Sequence, residues 1–234
     1  MLAHAPRAAR CVKLVVLATS IAAAGTPGSA GAQVPITFAT RDSGVVTADE
    51  YGTGVRAVLL VPGGRFDRRS WAQQARVFAD AGLRVLAIDL RGRGDTRVGR
   101  AGLDSLHLDV LGAIEYLRAT GATRLTVVGA SLGGWAAAEA VVVAAPAVDG
   151  LVLIAHAPID RPERLRTRTL FVVSRGDTRG GGIARLTEIR EQYRRARGSS
   201  TLLVLEGAAH AQQLFATDQG PKALAEILRF VRAR

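Results

Sequence analysis

Runs of uninterrupted apolar residues, such as Val58-Leu59-Leu60-Val61 and Leu151-Val152-Leu153-Ile154, recur between amphipathic stretches along this chain. A strand with one face in water alternates apolar and polar residues, whereas a run without alternation has to be covered on both faces. Parallel strands meet that condition, because their crossover connections lay helices over the sheet. The intervening stretches have helical spacing: Trp71, Ala75 and Phe78 recur at three and four residues, and Gly82 follows where a helix end accepts a left-handed residue. The pattern predicts a hairpin over 38–51, broken at Asp42-Ser43-Gly44, then strand 56–61, helix 69–81, strand 84–89 and helix 103–120. It continues with strand 124–128, helix 135–145, strands 150–154 and 169–174, helix 183–197, strand 201–205 and helix 221–231. The fold class expected is therefore α/β, one domain over 33–234 with a mostly parallel sheet and helices on both faces.

Residues 1–32 stand apart from that domain. Arg7, Arg10 and Lys13 precede an apolar stretch over 14–24, no acid occurs before Asp42, and Ala30-Gly31-Ala32 supplies small residues for a signal peptidase. A membrane span takes about 20 apolar residues, so this stretch reads as a signal peptide and not as an anchor. Cleavage is expected after Ala32, giving a secreted or periplasmic chain that begins at Gln33. The single cysteine, Cys11, lies upstream of the apolar stretch, so no disulfide or thiol ligand is expected in the mature domain. No histidine pair has ligand spacing and no nucleotide-binding motif occurs, so neither metal nor cofactor is expected.

The formal charge of +11 does not by itself imply a polyanionic partner. Arginine outnumbers lysine 29 to 2, the arginines are spread along the whole chain, and aromatic residues make up only 5%. Nucleic-acid binding calls for basic residues clustered on one face and interleaved with aromatics, and is not expected here.

The chemistry concentrates at Leu125-Thr126-Val127-Val128-Gly129-Ala130-Ser131-Leu132-Gly133-Gly134, an apolar strand running through G-x-S-x-G into a helix. A serine on so sharp a turn projects its hydroxyl above the sheet, and side chains two residues to either side would collide there. The helix N-terminus behind it favours developing negative charge. A serine hydroxyl needs a base, and the base needs an orienting acid. In the superfamily that this strand–turn–helix motif resembles, the acid precedes the histidine along the chain. Asp177 stands just beyond strand 169–174 and His210 just beyond strand 201–205, at the sheet edge where open α/β sheets build their sites. Asp160, past the preceding strand, is the alternative acid. His156 also follows a strand, which suggests a pocket-lining role, but it precedes Asp177; His107 lies within a helix and His4 within the signal segment. For an oxyanion, the amide of Leu132 supplies one donor. The turn Pro62-Gly63-Gly64-Arg65-Phe66 supplies the other at Gly64, where the missing side chain allows close approach.

Pro62-Gly63-Gly64, the turn Asp89-Leu90-Arg91-Gly92-Arg93-Gly94-Asp95-Thr96, the 129–133 motif, Gly176-Asp177 and His210 together resemble the α/β-hydrolase superfamily, in its compact esterase and dienelactone-hydrolase-like form. The resemblance spans essentially all of 33–234. It implies an α/β-hydrolase fold, a Ser131–Asp177–His210 triad and a small-molecule ester substrate. Two departures stand out: Pro62 occupies a position where relatives usually carry histidine, and serine replaces the cysteine nucleophile of dienelactone hydrolases. Acyl transfer to another acceptor, peptide cleavage, or a silent binding protein on the same fold are the alternatives. The 89–96 turn reads as structural.

Only 14 residues separate strands 150–154 and 169–174, where relatives commonly insert a cap, so no or minimal cap is expected. An uncapped site suits short soluble esters more than a deep apolar pocket. Arg65, Arg68, Arg69, Arg91, Arg93, Arg97, Arg100, Arg175 and Arg179 fall in or beside loops after strand ends, which suggests an electropositive rim steering an anionic ester.

Overall fold

The backbone of β1 (Gln33–Ala39) turns through Asp42 and Ser43 into β2 (Val45–Tyr51), forming the expected antiparallel hairpin with Ala39 opposite Val45. The structure, a computed structural model, describes residues 33–144 and 147–233; the expected signal segment and its cleavage point lie outside the described residues. From β2 the chain enters β3 (Arg56–Val61), β4 (Arg84–Ile88), β5 (Arg124–Ala130), β6 (Gly150–Ile154) and β7 (Thr169–Ser174). A two-stranded ribbon of β8 (Thr178–Arg179) and β9 (Ile183–Ala184) follows, and β10 (Ser200–Leu205) completes the main sheet. Its eight strands run in the order β1-β2-β4-β3-β5-β6-β7-β10. Every pairing from β4 to β10 is parallel, and β2 joins β4 antiparallel.

The apolar runs are buried on both faces, as their composition requires. Ala57, Leu59 and Val61 of β3 point into one core with α2 (His107–Ala119), α3 (Leu132–Val143) and α4 (Arg185–Arg195). Val58 and Leu60 point into a second core with α1 (Ala72–Asp80) and α5 (Gly220–Arg232). The end of α1 is a Schellman motif: Leu83 N–H bonds Phe78 C=O at 3.1 Å, Gly82 N–H bonds Ala79 C=O at 2.9 Å, and Gly82 takes φ +80°.

Strand order reverses between β3 and β5: the chain moves from β3 outward to β4, then returns to the other side of β3 for β5. Such a switch point leaves a crevice beyond the carboxyl ends of the two strands. Gly64 follows β3 there, and Ser131 follows β5.

Three local departures from the sequence expectation matter. The helix expected from 103 begins at His107, and Leu103 stays exposed in a turn after Gly102, which has φ +75°. The helix expected from 135 begins at Leu132, directly after Ser131. The helix expected from 183 begins at Arg185; left-handed Gly181 and Gly182 let Ile183–Ala184 fold back on Thr178–Arg179 instead. No cap occurs between β6 and β7, where the connection forms only the short turn Pro162–Arg164.

Candidate active site

β5 delivers Ser131 to the switch point in a conformation that serine rarely adopts, φ +50° and ψ −118°. Such backbone strain costs on the order of 1–3 kcal/mol and survives only where the surroundings over-determine it. Here Ser131 N–H bonds Ile154 C=O at 2.9 Å, and Ser131 C=O accepts from Gly134 at 3.0 Å, Trp135 at 3.2 Å and Ala157 at 3.0 Å. The flanking glycines are sterically required. A Cβ on Gly129 would sit 2.6 Å from Gly133 C=O, and one on Gly133 would sit 2.2 Å from Pro62 C=O.

β7 and β10 bring the other two residues to the same edge. Asp177 is buried, with its carbonyl accepting from Arg185 N–H at 3.0 Å. His210 caps a 3-10 turn (Ala211–Ala216). Its Nδ1 lies 2.8 Å from Asp177 Oδ2 and its Nε2 lies 2.9 Å from Ser131 Oγ. An ionised carboxylate only accepts hydrogen bonds, so a neutral imidazole carries its proton on Nδ1 and leaves Nε2 free to accept from the serine hydroxyl. The geometry can therefore draw a proton off Ser131 while keeping the imidazole oriented.

The oxyanion candidates also converge. Leu132 is the first residue of α3, where amides have no intrahelical acceptor. Gly64 lies against it: a Cβ on Gly64 would come 3.0 Å from Leu132 Cδ2. The 62–66 turn is fastened from three directions. Gly63 C=O accepts from Phe66 N–H at 2.9 Å, and because carbonyl and amide are opposed across a trans peptide, this fixes the direction of the Gly64 N–H. Gly64 C=O accepts from Arg93 Nε. Gly63 N–H donates to Gln212 Oε1 at 3.0 Å, while Gln212 Nε2 donates to Ser70 Oγ at 2.8 Å. Gln212 was not legible as a site residue in the sequence, since its partner lies 149 positions away, and Arg93, expected in the arginine rim, is tied instead to a carbonyl of the 62–66 turn.

The other candidates fall elsewhere. Asp160 is exposed on the loop after β6. His156 is not a lining residue: its ring is buried, with Nε2 3.1 Å from Gln192 Oε1, and burial holds its pKa down at about 4. His107 opens α2.

The arginine rim is partly neutralised. Arg68 pairs with Asp49, Asp89 and Asp95; Arg91 pairs with Asp42 and Asp109; Arg69 pairs with Asp67 and Asp95. Arg175 pairs with Glu206 and Arg179 with Glu188. Asp49, Asp109 and Glu188 belong to β2, α2 and α4, so part of the compensating charge comes from elements outside the loops that carry the arginines.

Two hollows meet at the site. One of about 410 Å³ is lined by Ser131 and His210 together with Arg65, Phe66, Thr178 and Gln213. The other, of about 550 Å³, is lined by Leu90, Leu103, Leu106, Leu132, Trp135 and Pro158 among others. The site is uncapped, as expected, and the apolar hollow beside it is open to one side and not deeply enclosed. The loop after β4, read from sequence as structural, also walls this hollow. Among the described residues no group of three metal-ligating side chains occurs, and no helix is long and apolar enough to cross a membrane.

No curated protein matches the sequence. Solved structures resemble it in fold. An esterase of Pyrococcus furiosus has a TM-score of 0.71 at 14% identity, covering 86% of this chain and 90% of its own. An esterase of Exiguobacterium antarcticum has a TM-score of 0.70 at 14% identity, covering 86% of this chain and 100% of its own. A dienelactone hydrolase of Anabaena variabilis has a TM-score of 0.65 at 19% identity, covering 84% of this chain and 94% of its own. At these identities the likeness establishes the architecture alone, but the family model for the alpha/beta hydrolase family matches residues 58–223. That match runs from β3 into α5 and takes in the switch point, the strained serine turn and both later strand ends, so the chain belongs to the alpha/beta hydrolase family.

Proposed function

We propose that the protein is an exported serine hydrolase that cleaves carboxylic esters through an acyl-enzyme on Ser131. The observation that carries this reading is the continuous hydrogen-bonded line from Asp177 Oδ2 through His210 to Ser131 Oγ, at 2.8 and 2.9 Å. His210 Nε2 takes the hydroxyl proton as Oγ attacks the ester carbonyl carbon. The carbonyl π pair moves onto oxygen, and the amides of Leu132 and Gly64 meet that charge. His210 then returns its proton to the departing alkoxide, which leaves as the alcohol. A water repeats the sequence on the acyl-enzyme, releasing the acid and restoring Ser131. Asp177 stays ionised throughout, holding Nδ1–H and stabilising the imidazolium.

Export is supported by residues 1–32 alone: the basic start, the apolar stretch and the small residues before Gln33. The exported protein should begin at Gln33, as N-terminal sequencing would establish.

Hydrolysis of p-nitrophenyl acetate tests the chemistry. A burst of nitrophenol equal to the enzyme concentration is expected if deacylation is slow, with mass spectrometry finding acetyl on Ser131. Ser131→Ala should lower kcat by about 10⁴-fold or more. Turnover that survives Ser131→Ala would sink the reading.

A further inference from the structure

We infer that the preferred substrates join an apolar acyl chain of medium length to a compact alcohol, with the acyl chain seated in the 550 Å³ hollow between the loop after β4 and the first turn of α3. This rests on Ser131 being the nucleophile. Gly64 and Leu132 line both hollows, so a carbonyl oxygen held by their amides lies at the junction and its two substituents diverge, one into each. Proton transfer decides which goes where. The leaving oxygen has to face His210 Nε2 to be protonated, and His210 lines only the smaller hollow. The alcohol therefore departs past Arg65, Phe66, Thr178 and Gln213, and the acyl chain occupies the larger space.

The lining of that space selects an uncharged chain. Leu90, Leu106, Leu132 and Trp135 form its apolar walls, and Leu103, 59% exposed at the edge, would be covered by the occupant. Arg91 also borders it but presents no free charge, because its guanidinium is fully enclosed and bonded to Asp42, Asp109 and Gly102 C=O. Arg93 directs Nε and Nη1 at the Gly64 and Gly92 carbonyls from an exposed position, where water and salt screen its charge. Asp104 lines the same hollow and disfavours a carboxylate at the end of the chain. A polar alcohol suits the smaller hollow, where hydroxyl, amide and guanidinium groups face the leaving group.

The test is a pair of ester series on the full protein, with fluorophosphonate labelling of Ser131 as an independent check that the nucleophile is intact. Along p-nitrophenyl acetate, butyrate, hexanoate and octanoate, kcat/KM should rise by about fourfold per methylene until the hollow is filled. Acetate esters of alcohols of increasing length should show no such rise, and a suberate monoester should react more slowly than octanoate. Leu103→Glu, at an exposed position that folding tolerates, and Ala157→Phe, which intrudes from the floor, should each cut the octanoate-to-acetate ratio by at least about tenfold. Because the readout is a ratio, a general loss of activity cancels. A flat or falling acyl series in protein that labels and turns over acetate overturns the inference and leaves the serine-hydrolase reading intact. A rise along the alcohol series instead would show that the hollows are used the other way round. Folded protein that neither labels nor turns over overturns both.

Discussion

A hydroxyl is useful as a nucleophile only if its lone pair faces the substrate and its proton faces a base, and the bent backbone at Ser131, with Oγ 2.9 Å from His210 Nε2, suits the role proposed for it. The strain at φ +50° is held by four main-chain hydrogen bonds and by glycines whose Cβ atoms would strike backbone oxygens. These requirements are local, which is why Ser131, Leu132 and the two glycines were legible in the sequence. Asp177 and His210 were legible because each lies just beyond an apolar strand. Gln212 was not: its buried amide joins the His210 loop to the oxyanion turn only once the sheet has formed. Gln212 acts through Gly63 and touches no reacting atom, so its loss should cost less than removing a donor outright. Gln212→Ala is expected to lower kcat by about tenfold with KM little changed, against the 10²–10³ typical of a deleted oxyanion donor. Gln212→Glu, which retains the acceptor for Gly63 N–H, should recover part of it. A rise in KM at unchanged kcat in steady-state kinetics would argue against this role.

At the scale of elements, the apolar runs and helical spacings located the strands from β2 onward in the main sheet to within a few residues, while β1 begins at Gln33 and not at 38. The ends were less legible where tertiary contacts decide them. Helix α2 begins only at His107, and its Asp109 carboxylate is committed to Arg91: Oδ2 accepts from Arg91 N–H at 2.7 Å and Oδ1 from Nη2 at 2.8 Å, with both side chains 0% exposed. Burial pushes the Asp109 carboxyl upward and the Arg91 bonds oppose it. This pair pins the loop after β4, and with it one wall of the larger hollow, onto α2. Arg91→Met is expected to cost about 3–5 kcal/mol, because it strands a buried carboxylate, and to lower the melting temperature by on the order of 10 °C. Arg91→Met combined with Asp109→Leu should recover much of the loss in a thermal melt. If the single variant melts like wild type, the pair is not holding the loop.

Across the whole molecule, the switch point between β3 and β5 gathers residues from four strand ends, and alternating strands and helices were enough to expect that edge to be the site. The hollow walled by 89–106 was not legible, since no local pattern says which side of a loop will be open. Pairing on folding also reduces the expected electropositive rim: Arg68 finds Asp49 on β2, and Arg179 finds Glu188 on α4. Burial holds His156 at a pKa of about 4, with the Arg185 charge acting in the same direction and the Gln192 hydrogen bond and Glu188 opposing, against an ordinary 6.5. Because the folded state resists the proton that the unfolded chain accepts, this stability contribution is complete above pH 6.5 and declines as pH falls toward 4. Urea midpoints at pH 7.5 and pH 5 should differ more for wild type than for His156→Phe; equal differences would contradict the assignment.

The central claim is that Ser131 is a nucleophile activated through His210. Reaction of the intact protein with a fluorophosphonate, followed by mass spectrometry of its peptides, tests this most directly. The expected result is one adduct per chain, located on Ser131, absent from Ser131→Ala and strongly slowed in His210→Ala. An adduct elsewhere, or folded wild type that stays unlabelled, would contradict the account.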